Sequence, residues 1–170
     1  MSAYLLKNGQ IVNEGKITAN NPNGYIALMA PEVRNEGIVT AKSAVALASG
    51  SEVTLNFNGN QLMGVKVDAS SYKSLIENKR LIEAPGGLVI IAANSAAQLM
   101  ASVVRNSGKV STTSMVSNGG RIEIVAGDVT NSGALVANAK GTDTATAGNG
   151  GSISIRGDKI TLTDTSRIKA

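Results

Sequence analysis

The residues of this chain that could perform catalysis are a few aspartates near glycines. The candidates are Asp128, Asp143, Asp158 and Asp164, of which Asp128 and Asp158 directly follow a glycine and could align in a repeated fold. Clustered aspartates on one exterior face serve polysaccharide lyases and hydrolases as acid and base groups, and carboxylates also attract calcium. Aspartate after glycine is equally ordinary turn chemistry, and we favour that interpretation.

The composition excludes active sites that depend on histidine or cysteine. The chain has no histidine and no cysteine, which removes the commonest general base, thiolate nucleophiles and zinc sites of the Cys/His type. The glycine-rich nonapeptide with regularly spaced aspartates, typical of calcium-binding solenoids, is also absent. We therefore predict no enzyme activity, no metal site and no cofactor.

The charge pattern narrows the range of partners. The net charge is +4, but lysines and arginines are scattered, with Lys79-Arg80 the only adjacent pair, and aromatic residues are 2% of the chain. We therefore predict no nucleic-acid binding, although a basic flank could attract acidic glycans such as sulfated polysaccharides. The longest apolar run, 88–93, is too short to span a membrane.

A phrase that recurs six times shows which elements must position these side chains. In each copy a polar residue is followed four residues later by a branched apolar residue and six later by Ala or Thr. The polar positions are Asn13, Asn35, Asn78, Asn106, Asn131 and, decayed, Asp164. Their spacings of 22, 43, 28, 25 and 33 residues suit β-solenoid coils of roughly 20 to 25 residues lengthened by insertions.

Two other phrases predict the strands of each coil. Glycine or alanine precedes alternating apolar residues at 24–28, 44–47, 87–91, 120–124 and 151–155, and a third phrase appears at 50–55 and 157–162. Alternation of period two indicates strands with one buried face. Glycine and asparagine at the corners would supply left-handed backbone, and asparagines in register could also form hydrogen-bonded ladders. We predict one all-β solenoid domain over 1–170, with small aliphatic side chains in its lumen.

Two insertions interrupt the predicted coils. Segment 56–76 reads as an extended pair around Asn58-Gly59-Asn60 that packs on the flank of the solenoid, followed by a short helix over about 70–79. Segment 94–104 is rich in alanine, and we expect a helical turn or more there, capped by Asn94 or Ser95. The segment 138–150 has little apolar content and predicts a loop.

Several phrases together resemble one known family. They are Val33 to Ala41, the segment 24–31 that leads into it, 65–69 before Glu77-Asn78-Lys79, and 150–159. On these residues the chain resembles, over nearly its whole length, the secreted haemagglutinin-type adhesins of bacterial two-partner secretion systems. This family includes filamentous haemagglutinins and high-molecular-weight adhesins.

The resemblance implies a right-handed parallel β-helix within a long exoprotein. Such proteins pass through an outer-membrane transporter and are displayed on, or released from, a Gram-negative cell. Members act as adhesins, as haemagglutinins or as shafts that hold a distal toxin. By resemblance, we expect this chain to be a structural and adhesive rod segment with that transporter as partner and a host-cell or glycan receptor.

The sequence departs from the family pattern in two places. Residues 1–7 have neither a basic start nor a long apolar stretch, so we expect either an excised piece or an unusually short natural chain. The family's secretion module carries an Asn-Pro-Asn-Gly motif, and this chain has Asn21-Pro22-Asn23-Gly24 between a corner phrase and a strand. We interpret that motif here as a turn.

Two alternatives remain open beside the rod. The chain could be a self-assembling extracellular fibre subunit, because a short solenoid without polar caps exposes unpaired strand edges and favours end-to-end association. Less favoured is a carbohydrate-binding or carbohydrate-active β-helix, which requires carboxylates converging on one exterior cleft.

Overall fold

The computed structural model describes residues 2–70, 73–96, 102–114, 119–139 and 148–170, where the regular elements are all β-strands. No helix able to cross a membrane occurs among these residues. The strands are β1 Ser2–Leu5, β2 Gln10–Asn13, β3 Lys16–Ala19, β4 Tyr25–Met29, β5 Glu32–Asn35, β6 Ile38–Ala41, β7 Ala44–Ser49, β8 Glu52–Asn58, β9 Gln61–Asp68, β10 Leu75–Asn78, β11 Leu81–Glu83, β12 Leu88–Ala93, β13 Val103–Asn106, β14 Lys109–Ser111, β15 Arg121–Val125, β16 Asp128–Asn131, β17 Ala134–Val136, β18 Ser152–Arg156, β19 Lys159–Leu162 and β20 Arg167–Lys169.

Three parallel sheets contain most of these strands. Sheet 1 has the order β2-β5-β10-β13-β16-β19, sheet 2 the order β3-β6-β11-β14-β17-β20, and sheet 3 the order β4-β7-β12-β15-β18. The chain visits the three sheets in turn and then begins the next coil one strand further along each sheet. This all-β arrangement of parallel sheets is consistent with the predicted β-solenoid.

Aliphatic side chains fill the space between the three sheets. One inward row on sheet 1 contains Val33, Ile76, Val104 and Val129, which pair in register and are at most 1% exposed. Equivalent rows run through sheets 2 and 3, and together they form one cluster of buried residues. Each row stacks similar aliphatic residues about 4.8 Å apart, which agrees with the small and branched side chains predicted for the lumen.

A second hydrophobic cluster lies outside sheet 3. The antiparallel sheet β1-β8-β9 packs there and buries Ala44, Ala46 and Ala48 on the outer face of β7. Leu55 and Leu62 contribute to this cluster from β8 and β9. Strand β7 is therefore buried on both faces. The predicted extended pair is present, its turn follows Asn58, and it packs on the flank. The prediction that 50–55 is a strand of a coil is wrong, because 52–55 belong to β8 of this antiparallel sheet.

The helix predicted over about 70–79 is wrong. Residues 75–78 form β10, which pairs with β5 on one side and β13 on the other. Neighbouring coils satisfy the backbone hydrogen bonds of β10 on both edges, and this tertiary pairing overrides the local preference for helix. Residues 71–72 lie outside the described residues.

The helix predicted within 94–104 is not seen in the described residues either. Residues 94–96 are not helical, and 103–104 begin β13. Residues 97–101 lie outside the described part, as do 140–147 of the predicted loop.

A glycine at the corner between sheets 1 and 2 has a different role from the one expected. Among the described residues a positive φ occurs at Gly9, Gly59 and Gly86, and none of the corner asparagines has one. A Cβ on Gly133 would instead collide with the carbonyl oxygen of Gly108 in the preceding coil. The preceding backbone therefore leaves no room for a side chain at Gly133. This restriction is not general for the corner, since Arg80 occupies the equivalent position between Gly37 and Gly108.

Substitution of this corner glycine tests the close approach. We expect Gly133→Ala to lower the free energy of unfolding by about 1–3 kcal/mol, because the new methyl group forces two coils apart. The matched control is Gly15→Ala, at the same corner of the first coil, where no atom lies within 4 Å of the added Cβ. Urea unfolding should place that control within about 0.5 kcal/mol of the wild type. Equal losses in the two variants would contradict the coil-packing explanation.

Candidate functional site

The corner asparagines form a buried ladder across the parallel strands of sheet 1. Each lies at the last position of its sheet 1 strand and pairs in register with the next. The Nδ2 of each donates to the Oδ1 of its successor, at 2.8 Å for Asn13 to Asn35, 2.8 Å for Asn35 to Asn78, 2.7 Å for Asn78 to Asn106 and 2.7 Å for Asn106 to Asn131. All five are at most 7% exposed. The ladder is therefore an internal chain of hydrogen bonds that points in one direction.

Most ladder amides also bind the backbone of the corner. Asn35 donates to the carbonyl of Leu81 at 3.1 Å, and Asn131 donates to the carbonyl of Gly133 at 3.2 Å. These bonds join the end of a sheet 1 strand to the start of sheet 2. A buried amide needs such partners for both N–H groups, so this site holds the corner together and is not arranged to bind a ligand.

The last copy of the phrase has a different register from the earlier ones. Leu162, not Asp164, pairs with Asn131, whose Nδ2 donates to Ser166 Oγ at 2.5 Å. The corner from Leu162 to the start of β20 is two residues longer than the corner from Asn131 to the start of β17. Asp164 lies within that longer turn. The sequence phrase aligned Ile168 correctly with Leu135 but could not reveal the longer turn.

The candidate catalytic aspartates do not converge. Asp128 pairs in register with Lys159, so Asp158 is level with Gly127 and offset from Asp128 by one residue. Asp128 is the first residue of β16, whereas Asp158 lies in a bend before β19. Asp164 follows the opposite end of β19, and Asp143 lies outside the described residues. Within the described ranges no group of three or more acidic, histidine or cysteine side chains could hold a metal ion.

The Asn-Pro-Asn-Gly segment forms a tight turn, as its sequence predicted. The N–H of Gly24 donates to the carbonyl of Asn21 at 2.7 Å, which closes a four-residue turn between β3 and β4. A Cβ on Gly24 would lie 2.9 Å from that carbonyl oxygen. Glycine at the fourth position therefore lets the chain enter sheet 3 directly.

Ion pairs between coils neutralise several charges on the outer face of sheet 1. Glu77 lies between Arg34 at 3.6 Å and Arg105 at 3.2 Å, on strands paired in register. At the neighbouring corner, Lys79 Nζ donates to Glu36 Oε1 at 2.8 Å. This hydrogen bond and the attraction of the two charges lower the pKa of Glu36 and raise the pKa of Lys79. These exposed pairs join neighbouring coils.

The outer face of sheet 2 carries cations without such partners. Lys109, Arg167 and Lys169 are exposed, and no acidic group among the described residues lies within ion-pair distance of them. They surround a groove of about 480 Å³ whose floor includes Ala134 and Val136. We name these five residues the basic trough. Sequence reasoning missed it because its cations come from separate coils.

Comparisons with known proteins add little to this geometry. No family model matches the chain, and no curated protein matches it either. One similar solved structure is the crystal structure of the HMW1 secretion domain from Haemophilus influenzae, with 15% identity and a TM-score of 0.45. The match covers 94% of this chain and 64% of that chain. A similarity of this size carries no argument about function, which must rest on the residues themselves.

Removal of one ladder side chain tests the importance of the corner. Asn78→Ala leaves the Nδ2 of Asn35 and the Oδ1 of Asn106 without their ladder partners. At about 1–3 kcal/mol for each of these two unsatisfied buried groups, we expect the free energy of unfolding to fall by about 2–6 kcal/mol. Denaturant unfolding followed by circular dichroism measures this loss.

The control for this change is Asn20→Ala, because Asn20 is exposed. It should alter the free energy of unfolding by no more than about 0.5 kcal/mol. If Asn78→Ala is as mild as this control, the ladder does not stabilise the fold.

Proposed function

We propose that the chain is a structural and adhesive rod segment of a secreted bacterial surface adhesin, coiled as a right-handed parallel β-helix. The observation that carries this proposal is the asparagine ladder, which joins five successive coils in register. Strands of neighbouring coils lie about 4.8 Å apart, so repetition of the same bonded corner extends the molecule along one axis. A molecule built in this way has a defined length and presents the outer faces of its sheets to a partner.

A non-catalytic role is part of this proposal. The polar residues in the repeated positions are used inside the fold, since the corner asparagines bind one another and the corner carbonyls. The exposed aspartates at 158 and 164 lie at opposite ends of β19. Acid and base groups of a glycosidase must instead lie within about 10 Å of each other across one bond.

The proposed route to the cell surface is an outer-membrane transporter of the two-partner type in a Gram-negative bacterium. The phrases from Val33 to Ala41 and at 150–159 support it by their resemblance to exported relatives. A chain without cysteine also crosses an oxidising periplasm without forming disulfides. Among the described parallel strands, each coil pairs only with the coils beside it, so folding can proceed coil by coil after transport.

Export is tested in the bacterium that encodes the chain. We expect antibodies and added protease to reach the protein on intact cells or in the medium, and inactivation of a co-encoded outer-membrane transporter to abolish this accessibility. A periplasmic marker protein must stay protected in both strains. Deletion of the chain should lower attachment of the cells to host surfaces. Retention of the protein in the cytoplasm of both strains would refute the proposal.

A second candidate, a self-assembling fibre subunit, is favoured by the exposed apolar side chains of the last coil. Ile160 is 44% exposed and Ile168 is 42% exposed, whereas their register partners Val129 and Leu135 are at most 1% exposed. Strands β18, β19 and β20 also pair on one edge alone. A second copy stacked on this edge would bury both side chains and satisfy the backbone.

Sedimentation velocity at rising protein concentration tests this second candidate. Stacking predicts a sedimentation coefficient that increases with concentration, and Ile160→Lys combined with Ile168→Lys should prevent the increase by burying charge at the contact. The control is Val125→Lys, which changes an exposed side chain on the outer face of sheet 3. A rod of constant mass at every concentration would eliminate the fibre.

A further inference from the structure

We propose that the basic trough binds an acidic polysaccharide through the sulfate or carboxylate groups of its sugars. This inference rests on the adhesive role proposed above and assigns that role a surface and a class of ligand. The trough is formed by Lys109, Ala134, Val136, Arg167 and Lys169 on the outer face of sheet 2.

The strand register determines the geometry of the trough. Lys109, Ala134 and Arg167 occupy equivalent positions on β14, β17 and β20, while Val136 and Lys169 pair one outward position further along. With strands about 4.8 Å apart, the backbones that carry Lys109 and Arg167 are separated by roughly 10 Å. Small side chains at Ala134 and Val136 leave the space between the cations open.

The side chains that alternate with the trough residues point into the core. Val110 and Leu135 are fully buried, which directs Lys109, Ala134 and Val136 to the outside. Arg167 and Lys169 flank Ile168, the register partner of Leu135, and are themselves exposed. The three cations therefore share one face, although 60 residues of sequence separate Lys109 from Lys169.

The charges of the trough are available to a ligand. On the outer face of sheet 1, Arg34 and Arg105 are held by Glu77. In contrast, the three trough cations have no ion-pair partner within the described ranges. A planar guanidinium can bind a sulfate or carboxylate through two hydrogen bonds, and lysine ammonium groups add point charges.

The other lining residues favour a polysaccharide over a nucleic acid. Among its described lining residues the groove has no aromatic side chain on which bases could stack, whereas Thr113 and Asn138 offer polar groups suited to sugar hydroxyls. The row from Lys109 to Arg167 crosses successive coils, so a linear polymer lying along the solenoid axis meets both cations. One carboxylate, that of Glu83, also lines the groove and opposes an anionic ligand.

The test measures binding of the purified chain to three immobilised polymers at low salt. Dextran sulfate carries sulfates, hyaluronan carries carboxylates, and neutral dextran carries no charge. We expect the trough variant Lys109→Gln/Arg167→Gln/Lys169→Gln to bind the acidic polymers at least roughly tenfold more weakly than the wild type. The reason is that the loss of each contact lowers the affinity a few-fold. In 1 M NaCl, where the screening length is about 3 Å, wild-type binding should also disappear.

A matched variant separates the trough from net charge. Lys7→Gln/Lys42→Gln/Lys159→Gln alters three exposed lysines elsewhere, and either triple variant takes the net charge from +4 to +1. This control should retain binding within about threefold, since its charges lie outside the groove.

Glu83→Gln should strengthen binding by roughly two- to fivefold through removal of a repulsive charge. Circular dichroism verifies that each variant is folded, and the single change Lys109→Gln replaces the triple variant if that fails to fold.

Binding of either acidic polymer that depends on the trough supports the proposal, and the comparison of the two polymers identifies sulfate or carboxylate as the group recognised. Equal losses in the two triple variants, equal binding to neutral dextran, or no binding at low salt would overturn it. Stronger trough-dependent binding of single-stranded DNA would also overturn it. These measurements use purified protein, so a negative result rejects only the ligand proposed for the trough. The cell-based export test still decides whether the chain is a rod segment of a secreted adhesin.

Discussion

The buried asparagine ladder is the constraint on which the rest of the structure depends. An amide in the core must find partners for two N–H groups and a carbonyl, and an identical amide one coil away supplies a complementary bond only when the coils are in register. A shift of one residue would place each asparagine outside and the neighbouring charged or polar residue inside. The ladder therefore determines register, while the aliphatic rows beside it supply most of the burial.

Register in turn determines what the outer faces can do. Glu77 lies between Arg34 and Arg105 because three strands pair without slippage, and this neutralises part of sheet 1. The same regularity places Lys109 and Arg167 on one face of sheet 2 with a small residue between them. The outer face of sheet 3 is partly covered by the antiparallel strands, which give it a second buried cluster. Each sheet thus presents a different surface on a common framework.

Much of this fold could be predicted from local sequence patterns. The corner phrase located the five asparagines, alternation located the sheet 3 strands, and the Asn58-Gly59-Asn60 turn located the hairpin. The helix prediction is wrong at 75–78, because pairing with β5 and β13 outweighs the local preference for helix in a segment that the corner phrase also covers in part. Prediction from the sequence also failed to align the last coil, because two extra turn residues move Asp164 beyond the ladder position.

The sequence by itself determined the period, the corners and the apolar rows, because these depend on residue types a few positions apart. Only the tertiary structure decided which distant residues share a surface, since insertions make the spacing between equivalent asparagines vary from 22 to 43 residues. The basic trough is of this kind: its cations become neighbours through parallel pairing across coils. The lack of space for a side chain at Gly133 is decided in the same way, because it arises from the backbone of the preceding coil and not from the conformation of the glycine itself.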